Sequence, residues 1–154
     1  MSAELLTILT SRLDTEVHLS EWLEVTQQRI NEFADATGDH QWIHVDPERA
    51  ARESPWGTTI AHGYLTLSLY PLLRGLVDAA VPVHPGVRTV VNYGLNKTRF
   101  PAPVRAGARI RARSRLIAVE AVAGGVQATE VCSFEIEGES KPACVAEVIM
   151  RFHV

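Results

Sequence analysis

Between residues 108 and 116, small or apolar side chains alternate with arginine without a break. Ala108, Ile110, Ala112, Ser114 and Leu116 take one side, and Arg109, Arg111, Arg113 and Arg115 take the other. A repeat of two belongs to an extended strand, whose successive side chains point to opposite faces; a helix would spread the arginines around its whole circumference. The same alternation returns near the end of the chain, where Cys144, Ala146, Val148, Met150 and Phe152 share one face. Gly124-Gly125 and Glu137-Gly138-Glu139 supply hairpin turns, so the second half reads as antiparallel strands with one apolar face. That face must be covered. Residues 62–80 read as a helix that is apolar nearly all round, with Leu65, Leu69, Leu72, Leu73 and Leu76, and are expected to be buried on most sides. Pro71 within it is a possible kink. The expected class is therefore α+β, a helix packed on an antiparallel sheet.

The first half predicts smaller elements. Residues 3–13 form an amphipathic helix and residues 18–25 a strand. Residues 26–36 form a helix capped by Thr26, with Ile30, Phe33 and Ala34 on one face and Gly38 as its stop. Asp46-Pro47 opens a further short helix that fades by Glu53. With 154 residues and no repeat or linker, residues 1–154 are expected to form one domain. A net charge of −3 argues against nucleic acid as a partner. No run reaches the roughly 18 apolar residues that span a bilayer. Residues 1–12 carry Glu4 and lack the basic-then-apolar pattern of a secretory signal. The two cysteines, Cys132 and Cys144, lie in strand-like runs and make neither a disulfide framework nor a metal set. A cytoplasmic location is expected.

Chemistry concentrates in residues 38–47, a loop between two helices that carries Asp39, His40 and His44. A carboxylate that is ionised at neutral pH and an imidazole that titrates near it can together hold a water and move its proton. Residues 57–63 then run into the start of the apolar helix, where unpaired amides and partial positive charge collect. The Gly63 amide, with no side chain in the way, is suited to polarising a carbonyl oxygen.

Gly38-Asp39, followed by His44 and Asp46-Pro47, resembles the signature of MaoC-like dehydratases and (R)-specific enoyl-CoA hydratases. Ile60-Ala61-His62-Gly63 resembles that family's second block, and residues 96–104 with Gly107 its third. The likeness extends over residues 25–150, and the nodulation-protein-N-like subgroup is similar. The resemblance implies a hot-dog fold, in which a curved antiparallel sheet wraps a central helix, and a homodimer. It implies reversible addition of water to a trans-2-enoyl-CoA, giving (3R)-3-hydroxyacyl-CoA. Asp39 and His44 would be the catalytic pair and Gly63 the oxyanion hole, with no metal and no cofactor beyond the CoA of the substrate. Gln41, His62, Asn96 and Arg99 are weaker candidates for positioning substrate. The family pattern has Asn-Pro where this chain has Gln41-Trp42, and Pro71 falls where some members carry a helix serine.

Plainer readings compete. Asp39 is also a fitting helix-end residue, Asp46 is more simply a cap, and His62 can merely support the helix entrance. A metal held by His40 and His44 with Asp39 or Asp46 needs helical spacing that the glycine-bounded loop does not provide. The arginine row is first a solvated sheet face, and second a partner for CoA phosphates. A hot-dog thioesterase and a non-catalytic acyl-thioester-binding subunit remain alternatives, because one fold hosts several chemistries.

Overall fold

The computed structural model describes residues 1–78 and 80–154. In chain order the elements are α1 (Ser2–Thr10), β1 (Glu16–Leu19), β2 (Leu23–Glu24), α2 (Gln27–Thr37), α3 (Trp42–Val45), α4 (Pro47–Glu53), α5 (Gly63–Ser68), α6 (Tyr70–Arg74), β3 (Thr89–Arg99), β4 (Arg109–Val122), β5 (Gly125–Ile136) and β6 (Cys144–His153). The strands form one antiparallel sheet in the order β1-β4-β5-β6-β3, with β2 also on β4. Its inner face carries the predicted alternation: Ile110, Ala112, Phe134, Ala146, Met150 and Phe152 are at most 1% exposed. The opposite face of β4 is a row of ion pairs. Arg109 meets Glu137, Arg111 and Arg113 share Glu135, Arg113 also reaches Glu16, and Arg115 meets Asp14. Each of these guanidinium groups is already engaged by a carboxylate, which favours the solvated face over phosphate capture.

The apolar segment departs from expectation. Instead of one helix over residues 62–80 there are two short ones, α5 and α6, meeting at Leu69. Pro71 stands in the first turn of α6, where its missing N–H costs nothing, and Gly75 ends the helix with φ of 73°. Residues 76–78 and 80 are not helical, and the Ala79 part of the expected helix lies outside the described residues. Nor is the segment buried all round. Leu65, Leu69, Tyr70 and Leu73 face the sheet, while Tyr64 is 72% and Leu72 49% exposed. One side of the segment packs and the other is open in the isolated chain.

The inner side also holds a polar group that apolar patterning hides. Arg74 donates to both carboxylate oxygens of Glu130 at 2.9 Å, and the Tyr70 hydroxyl donates to the same carboxylate at 2.8 Å. All three side chains are buried. Burial is the first cause that pushes the Tyr70 hydroxyl far above its ordinary range, and the neighbouring Glu130 carboxylate adds to it. The phenol stays protonated and donates.

The expected strand over residues 18–25 is two strands on β4, interrupted where Ser20 bonds the Ala112 backbone through its own N–H and its hydroxyl. Thr26 caps α2 by accepting from the Arg29 amide at 3.1 Å, and Asp46 caps α4 by accepting from the Arg49 amide at 3.0 Å, both as predicted. No helix among the described residues is long and apolar enough to cross a membrane.

Candidate active site

Gly38 adopts φ of 82° and returns its amide to the Ala34 carbonyl, so α2 stops and Asp39 leaves it into solvent. A single helical turn not foreseen in the sequence, α3, follows and carries His44 inward, where it is 7% exposed. The His44 ring is fixed by its Nδ1, which donates to the Ile60 carbonyl at 2.7 Å, while the Ile60 amide returns to Ile43 at 3.0 Å. With Nδ1 so used, Nε2 is the nitrogen left with a lone pair. The segment at Ile60 is itself held by residues 104–106: the Ala61 amide donates to Val104 and the Ala106 amide to Thr59. Gln27, on α2, donates to the His44 carbonyl at 2.7 Å and accepts from the Thr59 hydroxyl. Its role was not legible in the sequence, because a glutamine in the first turn of an amphipathic helix looks like any surface residue.

This clamp brings the predicted residues together. Asp39, His44, His62 and Gly63 line one open recess of about 330 Å³ with Tyr64 and Phe100. Gly63 is the first residue of α5, and its amide has no acceptor among the described residues. A Cβ on Gly63 would stand 3.1 Å from the Phe100 ring, so glycine leaves room for that ring. Sequence reading missed Phe100 and Tyr64. Phe100 lies inside the third block of resemblance, and only the close approach to Gly63 marks it out.

Burial lowers the His44 pKa below the usual 6.5, partly opposed by its bond to Ile60, and favours the imidazole that can accept a proton. His40 is turned away. Its Nε2 meets Asp35 at 2.8 Å, and that bond raises its pKa. This corrects the idea of a His40–His44 metal pair. The residues that offer one ligating atom each within 4.8 Å of one another are Asp39, His44 and His62. Each of these histidines donates one ring nitrogen to a backbone carbonyl, which fixes its tautomer.

Other positioning candidates are not brought in. Gln41 touches Asp39 only through its backbone amide, at 3.3 Å from Oδ1, and its side chain is exposed. Asn96 and Arg99 lie on the exposed edge strand β3 at an irregularity in its pairing, and Arg99 donates to the adjacent Thr98 carbonyl. None of the three lines the recess in the isolated chain.

A carboxylate, a buried imidazole with a free Nε2 and an unpaired amide thus face one space. That set can hold a water, exchange its proton and stabilise an oxygen that gains charge.

Residues 9–133 match the family model described as MaoC like domain. The chain is 54% identical over 145 residues to 3-hydroxyacyl-thioester dehydratase Z of Mycobacterium tuberculosis, covering 94% of this chain and 93% of that one. It is 45% identical over 140 residues to nodulation protein N of Rhizobium leguminosarum bv. viciae, covering 90% and 85%. In structure it is similar to the R-hydratase PhaJ1 from Pseudomonas aeruginosa, with a TM-score of 0.69 at 18% identity over 92% of this chain and 81% of that one. The (R)-hydratase of A. caviae gives 0.66 at 21% identity, covering 88% and 97%. These likenesses establish the hot-dog fold. With its sequence matched along most of its length, the chain belongs to the MaoC-like dehydratase family.

Proposed function

We propose that the chain is a 3-hydroxyacyl-thioester dehydratase, catalysing the reversible hydration of trans-2-enoyl-CoA to (3R)-3-hydroxyacyl-CoA. The observation that carries this reading is the convergence of Asp39, His44 and the Gly63 amide on one recess. The name of the mycobacterial relative, at 54% identity, points the same way. Asp39 and His44 Nε2 hold a water between them. As its oxygen adds to the β-carbon, this pair takes one of the water's protons and delivers it to the α-carbon on the same face. The thioester oxygen, which gains negative charge as the enolate forms, is held by the Gly63 N–H. Dehydration is the reverse. The reading uses no metal and no cofactor besides the CoA carried by the substrate.

The acting unit in this proposal is a homodimer of one-domain chains, residues 1–154. Its support is β3, an edge strand of 11 residues that leaves Val91, Tyr93 and Leu95 about half exposed, near the open side of α5 and α6. Free, buried Cys132 and Cys144 suit a reducing, cytoplasmic setting.

The test is loss of enoyl-thioester absorbance with crotonyl-CoA and with a longer trans-2-enoyl-CoA, the product coupled to an (R)-specific dehydrogenase. Turnover through the coupling enzyme is expected. Release of free CoA from saturated acyl-CoA, with no hydration, would replace this reading with a thioesterase. Thioester binding without any turnover would replace it with a binding subunit.

A further inference from the structure

His62 is 3% exposed and stands directly before Gly63 at the head of α5. Its side chain makes no capping bond to that helix, so supporting the helix entrance does not explain it. It makes three other contacts. Nε2 donates to the Asp39 backbone carbonyl at 2.9 Å. The ring stacks on His44 with centroids 3.9 Å apart and planes 24° from parallel. The Phe33 ring lies 4.9 Å away, tilted by 54°. Its other nitrogen, Nδ1, is buried with no partner among the described residues. An apolar ring would fill the same space and leave no buried acceptor unpaired. The site therefore keeps a histidine where packing alone favours an aromatic hydrocarbon.

We infer that His62 is the positioning residue of the Asp39–His44 pair, locking the loop of one and the ring of the other to the helix that presents the Gly63 amide. The inference rests on the hydratase reading for its catalytic meaning, and on geometry for the lock itself. His62 touches each component by a different means: a hydrogen bond to Asp39, a stack on His44 and a peptide bond to Gly63. The Asp39 carboxylate is exposed and, among the described residues, its side chain has only the Gln41 amide as partner, so its backbone carbonyl is the place to fix it. The two histidines then carry their hydrogens on opposite nitrogens, Nε2 in His62 and Nδ1 in His44. That arrangement leaves His44 Nε2 free to take the proton of water.

Two full-length variants separate the bond from the stack. His62→Phe keeps an aromatic ring over His44 but cannot donate to Asp39; His62→Gln restores a donor at nearly the same reach without the ring. With crotonyl-CoA, His62→Phe is expected to lower kcat by about 10- to 100-fold, the scale of a misplaced catalytic group, with KM little changed. His62→Gln is expected to recover part of that loss, and both variants to melt cooperatively. Unchanged kcat in His62→Phe, or a His62→Gln variant no better than it, would overturn the positioning role. Long-range ¹H–¹⁵N spectra of the wild-type imidazoles test the lock without turnover. The hydrogen is expected on Nε2 of His62 and Nδ1 of His44, and a hydrogen on Nδ1 of His62 alone overturns the proposal. If the spectra fit but wild-type protein does not hydrate crotonyl-CoA, the lock stands and the hydratase reading fails.

Discussion

Asp39 and His44 are held in opposite ways, and this shapes how each can be tested. Asp39 is exposed, and its Oδ1 accepts only from the Gln41 amide, a bond that an asparagine oxygen can keep. Asp39→Asn therefore removes charge with little change of structure. His44 is buried and bonded to Ile60, so His44→Ala also releases part of the clamp. Either change is expected to slow turnover by at least ~100-fold, the low end of acid–base catalysis, while gel filtration and melting show a folded protein. Near-normal kcat in a folded variant would remove that residue from the mechanism. The depressed pKa of His44 sets the sign of the pH response. The competent form is the unprotonated imidazole, so kcat/KM should fall on the acid side with a midpoint below the usual 6.5. Stability follows the same sign. Below about 6.5 the unfolded chain binds the proton more readily than the folded one, so the contribution of His44 is present above that pH and declines beneath it. An acid limb at or above the unperturbed value would contradict the burial that the structure assigns to this ring.

At the scale of elements, β4, β5 and β6 were legible because alternation needs only the strand period. The caps of α2 and α4 were legible because Thr26 and Asp-Pro act within three residues of themselves. The central helix was not. Leucine content gave its hydrophobicity, but its break at Leu69 and its end at Gly75 depend on how Pro71, Gly75 and the sheet share the backbone bonds. The Tyr70–Arg74–Glu130 group was hidden for a related reason, since Arg74 and Glu130 are 56 residues apart and meet only when α6 packs on the sheet. Removing one charge leaves the other buried without a counter-charge. Glu130→Ala or Arg74→Ala should each cost about 3–5 kcal/mol in urea unfolding, whereas replacing both with methionine should cost far less. A single variant as stable as wild type would mean that water reaches this pair.

For the whole molecule, the sheet ends at β3 with an unpaired edge of 11 residues. Edges of this length and apolar content attract another strand unless something covers them. Charges placed there, as in Val91→Lys with Leu95→Lys, are expected to yield a monomer in analytical ultracentrifugation. In crotonyl-CoA hydration that monomer should be less active, because the recess is open and its rim at Tyr64 is 72% exposed in the isolated chain. A fully active double variant that sediments as a monomer would remove the dimer from the proposal.

By itself the sequence determined the period of β4 and β6, the capped starts of α2 and α4, and the identity of the residues able to move a proton. These are local properties, set by side-chain chemistry and by neighbours a few positions away. Only the tertiary structure decided that Asp39, His44 and Gly63 face one space, that Gln41, Asn96 and Arg99 stay outside it, and that His62 joins its parts. The reason is physical. Convergence depends on backbone bonds between residues 59–61 and 104–106 and on a half-buried glutamine clamp, contacts whose partners lie 17 to 32 positions apart for Gln27 alone. No periodicity in the chain encodes such contacts, because they exist only once the sheet has closed around its helices.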